Sequence, residues 1–331
     1  MLRNSLLHTA ALLAALSTSS AAFADKISLM VGGYEKHIYL PAKLTEALGY
    51  FKDEGLDVEL LNEPAGVDAE DEMLAGAVQG VVGFYDHCID LQGKGKTVES
   101  VVQFSQAPGE VELVSSKHPD IKSVADFKGH SVGVTGLGSS TNFLTMYLEV
   151  KNGLQVSDVT SVPVGAGTTF IAAMQQDKIQ AGMTTEPTIS RLLNSGEAKV
   201  LVDMRTIEST KAALGGTYPA ASLYMETSYV NKNKADVQKL ANAFVKTMKF
   251  INTHSAAEIA DKMPKEFYVG DKDMYVKGLD AGKGMFTPDG KMPAGGPETV
   301  LAVLSTFSKS LKGKTIDLSK TYTTEFVDAA K

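Results

Sequence analysis

Two kinds of segment alternate along this chain: short β-branched runs, and longer stretches whose apolar residues recur every three or four positions. Strands spaced by helices pair through crossover connections, so the rhythm dictates an α/β fold on largely parallel sheets. Residues 26–32 (KISLMVG), 57–61, 81–84, 98–104 and 111–115 read as the strands of a first block of βα units. One helix of that block carries Leu40, Leu44, Ala47, Leu48 and Phe51 on a single face, and a small-residue helix follows over 69–78. Lys117-His118-Pro119-Asp120 then interrupts, and the rhythm starts again with strands at 131–135, 159–164, 179–184 and 200–203. A helix with Phe143, Leu144, Tyr147 and Leu148 belongs to this second block and stops at Asn152-Gly153. After the turn-rich segment 215–219, a strand at 221–225 leads into a helix striped by Val237, Leu240, Ala241, Phe244, Val245, Met248 and Ile251. Residues 270–297, rich in Gly, Lys and Pro, read as loop, and Val300, Leu304, Phe307 and Leu311 return to helical spacing. The simplest architecture is two α/β lobes joined by crossings near 115–117 and 217–221. Residues 25–115 plus 220–331 would form the first lobe and 116–219 the second; the alternative is a linear pair of domains.

Residues 1–24 carry Arg3, an apolar middle from Leu6 to Leu16, and small residues ending in Ala22-Phe23-Ala24. Those three parts match a cleaved export signal, and the apolar run is about half of the roughly 20 residues a membrane span needs. The product is therefore expected outside the cytoplasm, cut near Ala24, and with no cysteine placed for a lipid anchor.

Composition narrows the function classes. With 331 residues the chain suits one large or two ordinary domains. A net charge of −7 without a basic block argues against a nucleic-acid partner. One cysteine, Cys88, rules out a disulfide framework, a thiolate zinc site or an iron–sulfur cluster made by this chain alone. The six histidines show no metal-ligand spacing, and there is neither a G-x-S-x-G elbow nor a complete dinucleotide fingerprint, so no metal, cofactor or catalytic residue is expected.

In open α/β sheets, ligands bind beyond the carboxyl ends of the strands. Gly136-Leu137-Gly138-Ser139-Ser140-Thr141 lies between a strand and a helix, where Ser139, Ser140 and Thr141 and the open N–H groups of the first turn suit an acidic or carbonyl group. Ordinary helix capping explains one of those hydroxyls but not all three. Tyr34 and His37 sit on the loop after the first strand, as an aromatic wall and a donor or as plain solvated polarity. Tyr85 follows the third strand and is the contact candidate there, with Asp86 a helix cap and Cys88 a small buried residue. Thr168 resembles another helix start facing the cleft, though capping suffices to explain it. Glu186 either meets an amine on a ligand or serves as first-turn acid of the helix over 188–194.

The stretch from Leu40 through Ala47-Leu48-Gly49-Tyr50-Phe51-Lys52-Asp53-Glu54-Gly55-Leu56-Asp57-Val58 resembles the opening of the nitrate/sulfonate/taurine group of ABC-transporter solute-binding proteins. Similarity extends through 126–134, Gly138–Thr141, 165–167 and 180–187, covering most of 26–255. The resemblance implies a type II periplasmic-binding fold, a two-crossing hinge, and delivery of a small organic solute to a membrane permease and its ATPase. It also implies that the positions of Tyr34 to His37 and of Ser139 to Thr141 contact solute. The expected product is thus a periplasmic, monomeric, non-enzymatic binding protein for a sulfonate- or taurine-like solute or for an aromatic, pyrimidine-like one. Beyond residue 24 the only arginines are Arg191 and Arg205, which speaks against a bare dianion gripped by arginine forks. The alternative is an enzyme like the pyrimidine synthases of thiamine biosynthesis, which share this fold group.

Overall fold

The computed structural model describes residues 26–268 and 271–331; the expected export signal lies outside the described residues. Ten strands follow in order: β1 (Ile27–Val31), β2 (Val58–Asn62), β3 (Gly80–Phe84), β4 (Val98–Gln103), β5 (Glu110–Ser115), β6 (Ser131–Val134), β7 (Thr160–Pro163), β8 (Ala181–Thr185), β9 (Ala198–Met204) and β10 (Ala221–Glu226). They form two five-stranded sheets, ordered β2-β1-β3-β10-β4 and β7-β6-β8-β5-β9. The sheets are built alike. In each, a strand pairs in parallel with two neighbours, β1 with β2 and β3, β6 with β7 and β8. In each, one strand from the other half of the sequence is inserted antiparallel, β10 between β3 and β4, β5 between β8 and β9.

That exchange corrects the sequence reading at one place. The strand read at 111–115 as part of the first block pairs with β8 and β9, so the outward crossing runs through 104–109 rather than near 115–117. Nothing local in a strand specifies its partner; register and sheet membership follow from which apolar faces can be buried together. The return crossing runs into β10, and the C-terminal part then packs on the first sheet. Phe244 of the helix Lys234–Thr253 lies 5.3 Å from Phe51 and 4.8 Å from Phe104, ring centre to ring centre. The tail extends β4, with Ser100 N–H donating to the Thr321 carbonyl and Thr323 N–H to the Ser100 carbonyl, both at 2.9 Å.

Two further differences have local causes. The first helix breaks into Leu40–Ala47 and Tyr50–Asp53 because Gly49 takes a left-handed φ of 78°. Within the segment read as loop, Lys272–Gly282 is helical: Asp271 caps it, accepting from Met274 N–H at 2.8 Å, and Tyr275 and Leu279 bury one side. Its glycines and lysines mask that short apolar face in the sequence.

β5 serves the core with one face and the cleft side with the other. Val111 and Leu113 point into a small core with Phe170, Ile189 and Leu192. By the two-residue period of a strand, Glu110 and Glu112 point the other way, and Glu112 lies under the helix Ser140–Lys151, accepting from the Thr145 hydroxyl at 3.0 Å.

Candidate functional site

The carboxyl ends of β1, β3, β6 and β8 face one another across the cleft between the sheets. Here a narrow cavity, with free space of only about 10 Å3, is lined by Lys36, Tyr39, Gly66 and His87 from the first lobe. Thr135, Ser139, Ser140, Thr141 and Thr185 line it from the second lobe, and Glu110, the first residue of β5, closes it at the crossing. That free space is about the room of one water, so a solute is admitted only when the lobes move apart. Gly32 and Gly66 let two backbone segments meet on its first-lobe wall, since a Cβ on Gly32 would come within 3.1 Å of the Gly66 Cα.

The lobes are latched beside this cavity. The Ser140 hydroxyl donates to the Asp86 carboxylate at 2.7 Å, and the Tyr218 hydroxyl donates to the same carboxylate at 2.9 Å. Val67 N–H donates to the Ser139 hydroxyl at 3.2 Å, and the Thr141 hydroxyl is held against Thr135 at 2.8 Å. The three hydroxyls foreseen at the helix start therefore line the cavity while spending much of their bonding on protein. What that helix leaves open is the N–H groups of Ser140 and Thr141, since Asn142 and Phe143 N–H donate to the Ser139 carbonyl.

Cationic groups supply the rest of this wall. The Lys36 ammonium, buried, donates to the carbonyls of Gly32 and Pro64, which leaves its third N–H for the cavity. Burial lowers its pKa, opposed by the carboxylates of Glu35, Glu110 and Asp68. Burial alone would also keep His87 neutral, but the Glu70 carboxylate against its Nδ1 outweighs this and lifts its pKa to about 9. His87 is thus an imidazolium at neutral pH, and its Nε2, buried and without a partner, lies beside Gly66. Opposite in character is Glu110: burial, with Asp86 and Glu112 adding to it and Lys36 opposing, pushes its carboxyl well above the usual range.

The other sequence candidates lie elsewhere. His37 and Glu186 line a second narrow cavity, separated from the first by Ile38, which lines both. There Glu186 accepts from Arg205 at 3.2 Å and from Ser190 N–H at 3.0 Å, so it has the helix-capping role and an arginine partner as well. His37 has neither ring nitrogen paired, packs edge-on against Tyr275 at 4.4 Å, and is held by burial at a pKa of about 3. Tyr34 lines an outer groove with Lys43 and Arg191, its hydroxyl donating to the Leu60 carbonyl. Tyr85 is fully buried, bonded through its hydroxyl to Thr321, and does not reach the cavity. Thr168 is exposed at its helix start and lines neither cavity. Asp86, read as a cap, joins the lobes instead. Sequence reasoning passed over Lys36, His87 and Glu110; the usable signal was a Lys one position from the chosen loop residues and a His at the start of a helix after a strand.

Two doubly wound lobes of identical strand order, two crossings, and a polar cavity between them define the type II periplasmic-binding fold. Within that class the chain belongs to the NMT1/THI5 like family, whose model matches residues 39–257. It is similar to a protein of solved structure from Bordetella bronchiseptica RB50, 35% identical, over 92% of this chain and 96% of the other, with a TM-score of 0.89. It superimposes on the alkanesulfonate-binding protein SsuA of Xanthomonas axonopodis pv. citri bound to MOPS with a TM-score of 0.72 at 18% identity, over 92% of this chain and all 100% of that one. A candidate aliphatic sulfonates-binding protein of Escherichia coli (strain K12) is 35% identical over 41% of this chain and 39% of its own. The 4-amino-5-hydroxymethyl-2-methylpyrimidine phosphate synthase THI11 of Saccharomyces cerevisiae is 24% identical over 69% of this chain and 67% of its own.

Proposed function

We propose that the chain is the periplasmic solute-binding component of an ABC importer, capturing a small organic acid between its lobes and handing it to the permease. The observation that carries this reading is the buried cavity at the lobe interface, where the Lys36 ammonium, the His87 imidazolium and the first turn of the helix Ser140–Lys151 converge. Three positive or partly positive groups in a dry site favour an anionic headgroup. Contacts from both lobes let the solute stabilise the closed arrangement. Ser139, Ser140 and Thr141 then act partly through their backbone, and the solute is bound without being transformed. A thermal-shift screen of the chain from Asp25 onward, against alkanesulfonates, taurine, nitrate, aromatic carboxylates and pyrimidines, tests it. A solute at 100 times its dissociation constant adds about 2.7 kcal/mol, a rise of several degrees. No rise with any compound would sink the reading.

The likeness to THI11 supports a second reading, a pyrimidine-forming enzyme. Formation of that pyrimidine phosphate by the purified chain would establish it in place of the first.

A further inference from the structure

The cavity holds one buried carboxyl oxygen that nothing among the described residues satisfies. Glu110 is 1% exposed, and its Oε2 is buried with no hydrogen-bond partner. Among the described residues its carboxyl makes no ion pair. The charged groups that face it are Lys36, Asp86 and Glu112, with the Tyr39 and Tyr218 hydroxyls nearby. The one cation among them, Lys36, already gives two of its N–H bonds to the Gly32 and Pro64 carbonyls. A buried acceptor left open is costly, and buried carboxylates are otherwise found paired.

Building on the solute-binding reading, we propose that Glu110 is a specificity-determining residue, and that the solute is a small acid carrying an amine. Its acidic group lies toward Lys36, His87 and the helix start, and its ammonium toward Glu110. The cavity then has a positive end and a negative one, matched to a zwitterion. In the closed cavity, burial favours the neutral Glu110 carboxyl. An arriving ammonium favours the carboxylate, so binding transfers the Glu110 proton to the buffer. A bare anion has the opposite effect: it keeps that proton in place as a donor, and its binding releases none.

The test uses matched acids with and without an amine, taurine against ethanesulfonate and β-alanine against propanoate. Calorimetry is run at pH 7 in two buffers of different ionisation enthalpy, neither of them a sulfonate. The aminated member of a pair is expected to bind at least about tenfold tighter, a size set by one charge-assisted hydrogen bond, and to release protons on binding. In Glu110→Gln the preference should fall below about threefold and the proton release disappear; the wild-type comparison stands even if that variant folds poorly. Equal or tighter binding of the plain acids overturns the proposal, as does a preference and proton release that survive Glu110→Gln. If none of the four acids binds, the amine-acid class is wrong, while a hit elsewhere in the broader screen leaves the solute-binding reading standing.

Discussion

Asp86 of the first lobe accepts the Ser140 hydroxyl of the second at 2.7 Å and the Tyr218 hydroxyl, close to the return crossing, at 2.9 Å. One buried carboxylate therefore ties the two lobes to each other and to the return crossing. Ser140→Ala removes the only one of these bonds that must break when the cleft opens, and it leaves Asp86 its tyrosine. Hydrogen bonds to charged groups contribute about 1.5 to 3 kcal/mol, so affinity for the best solute of the screen should fall roughly 10- to 100-fold. Small-angle scattering of the ligand-free protein should show a larger radius of gyration than wild type. Unchanged scattering and affinity would mean that the latch does not govern closure.

The His87 imidazolium gives solute binding a pH limit. Its pKa is raised to about 9 because Glu70 outweighs burial. A raised histidine contributes stability that is complete below its unfolded value, about 6.5, and lost as pH rises through the folded value. Affinity for an acid without an amine, whose binding releases no proton, should accordingly be flat from pH 6 to 8 and decline above about 9. In Glu70→Gln only Asp86 and Asp90 still oppose burial, so the decline should begin at least about one unit lower. Imidazole nitrogen shifts in NMR follow His87 directly. A histidine already neutral at pH 7 in wild type would refute this assignment.

Local chemistry made some of this molecule legible and left the rest hidden. β3 reads as a strand because Gly80-Val81-Val82-Gly83-Phe84 is apolar on both faces, as a central strand must be. Ser139 to Thr141 could be placed at the cavity because a strand, two glycines and hydroxyls at a helix start are all local signals. Glu110 could not. The sequence Glu110-Val111-Glu112-Leu113 alternates like any strand with one wet face; the helix Ser140–Lys151, more than two dozen residues on, and the first-lobe residues Lys36 and Tyr39 make that face dry. Tyr85 erred in the opposite direction, since its hydroxyl is taken by Thr321, at the far end of the chain. Contacts between distant segments decide both cases, and no window of sequence contains them.

Glu112 beneath that helix and Glu149 on it make the fold favour mildly acidic conditions. Burial pushes both carboxyls up to about 8, and Glu149 adds to the effect on Glu112 while Thr145 opposes it. A raised carboxyl contributes stability that is complete below its unfolded value, near 4.5, and is lost as pH rises through the folded value. The melting temperature should therefore drop between pH 5 and pH 8. Glu112→Gln keeps the shape and removes the ionisation, and it should stabilise the protein at pH 8 by on the order of 1 kcal/mol while changing little at pH 5. A variant destabilised equally at both pH values would show that the carboxyl is satisfied in a way these contacts do not contain.

Gly66 separates binding from folding. It begins the helix Gly66–Leu74, and its backbone is not in the left-handed region, so alanine there is compatible with the helix and even favours it by propensity. A Cβ at this position would stand 3.2 Å from His87 Nε2, 3.9 Å from the Tyr39 hydroxyl and 4.0 Å from the Ser139 hydroxyl. Those three atoms belong to the cavity, so the added methyl occupies the space in which an acidic headgroup would meet the imidazolium. Gly66→Ala should change the unfolding free energy by no more than about 1 kcal/mol, and lower affinity at least about 100-fold, because the solute must either lose the His87 contact or force the lobes apart. Chemical denaturation alongside calorimetry measures both quantities on one preparation. Undiminished affinity in a folded Gly66→Ala protein would place the solute outside this cavity, and with it would go the roles assigned to Lys36 and His87.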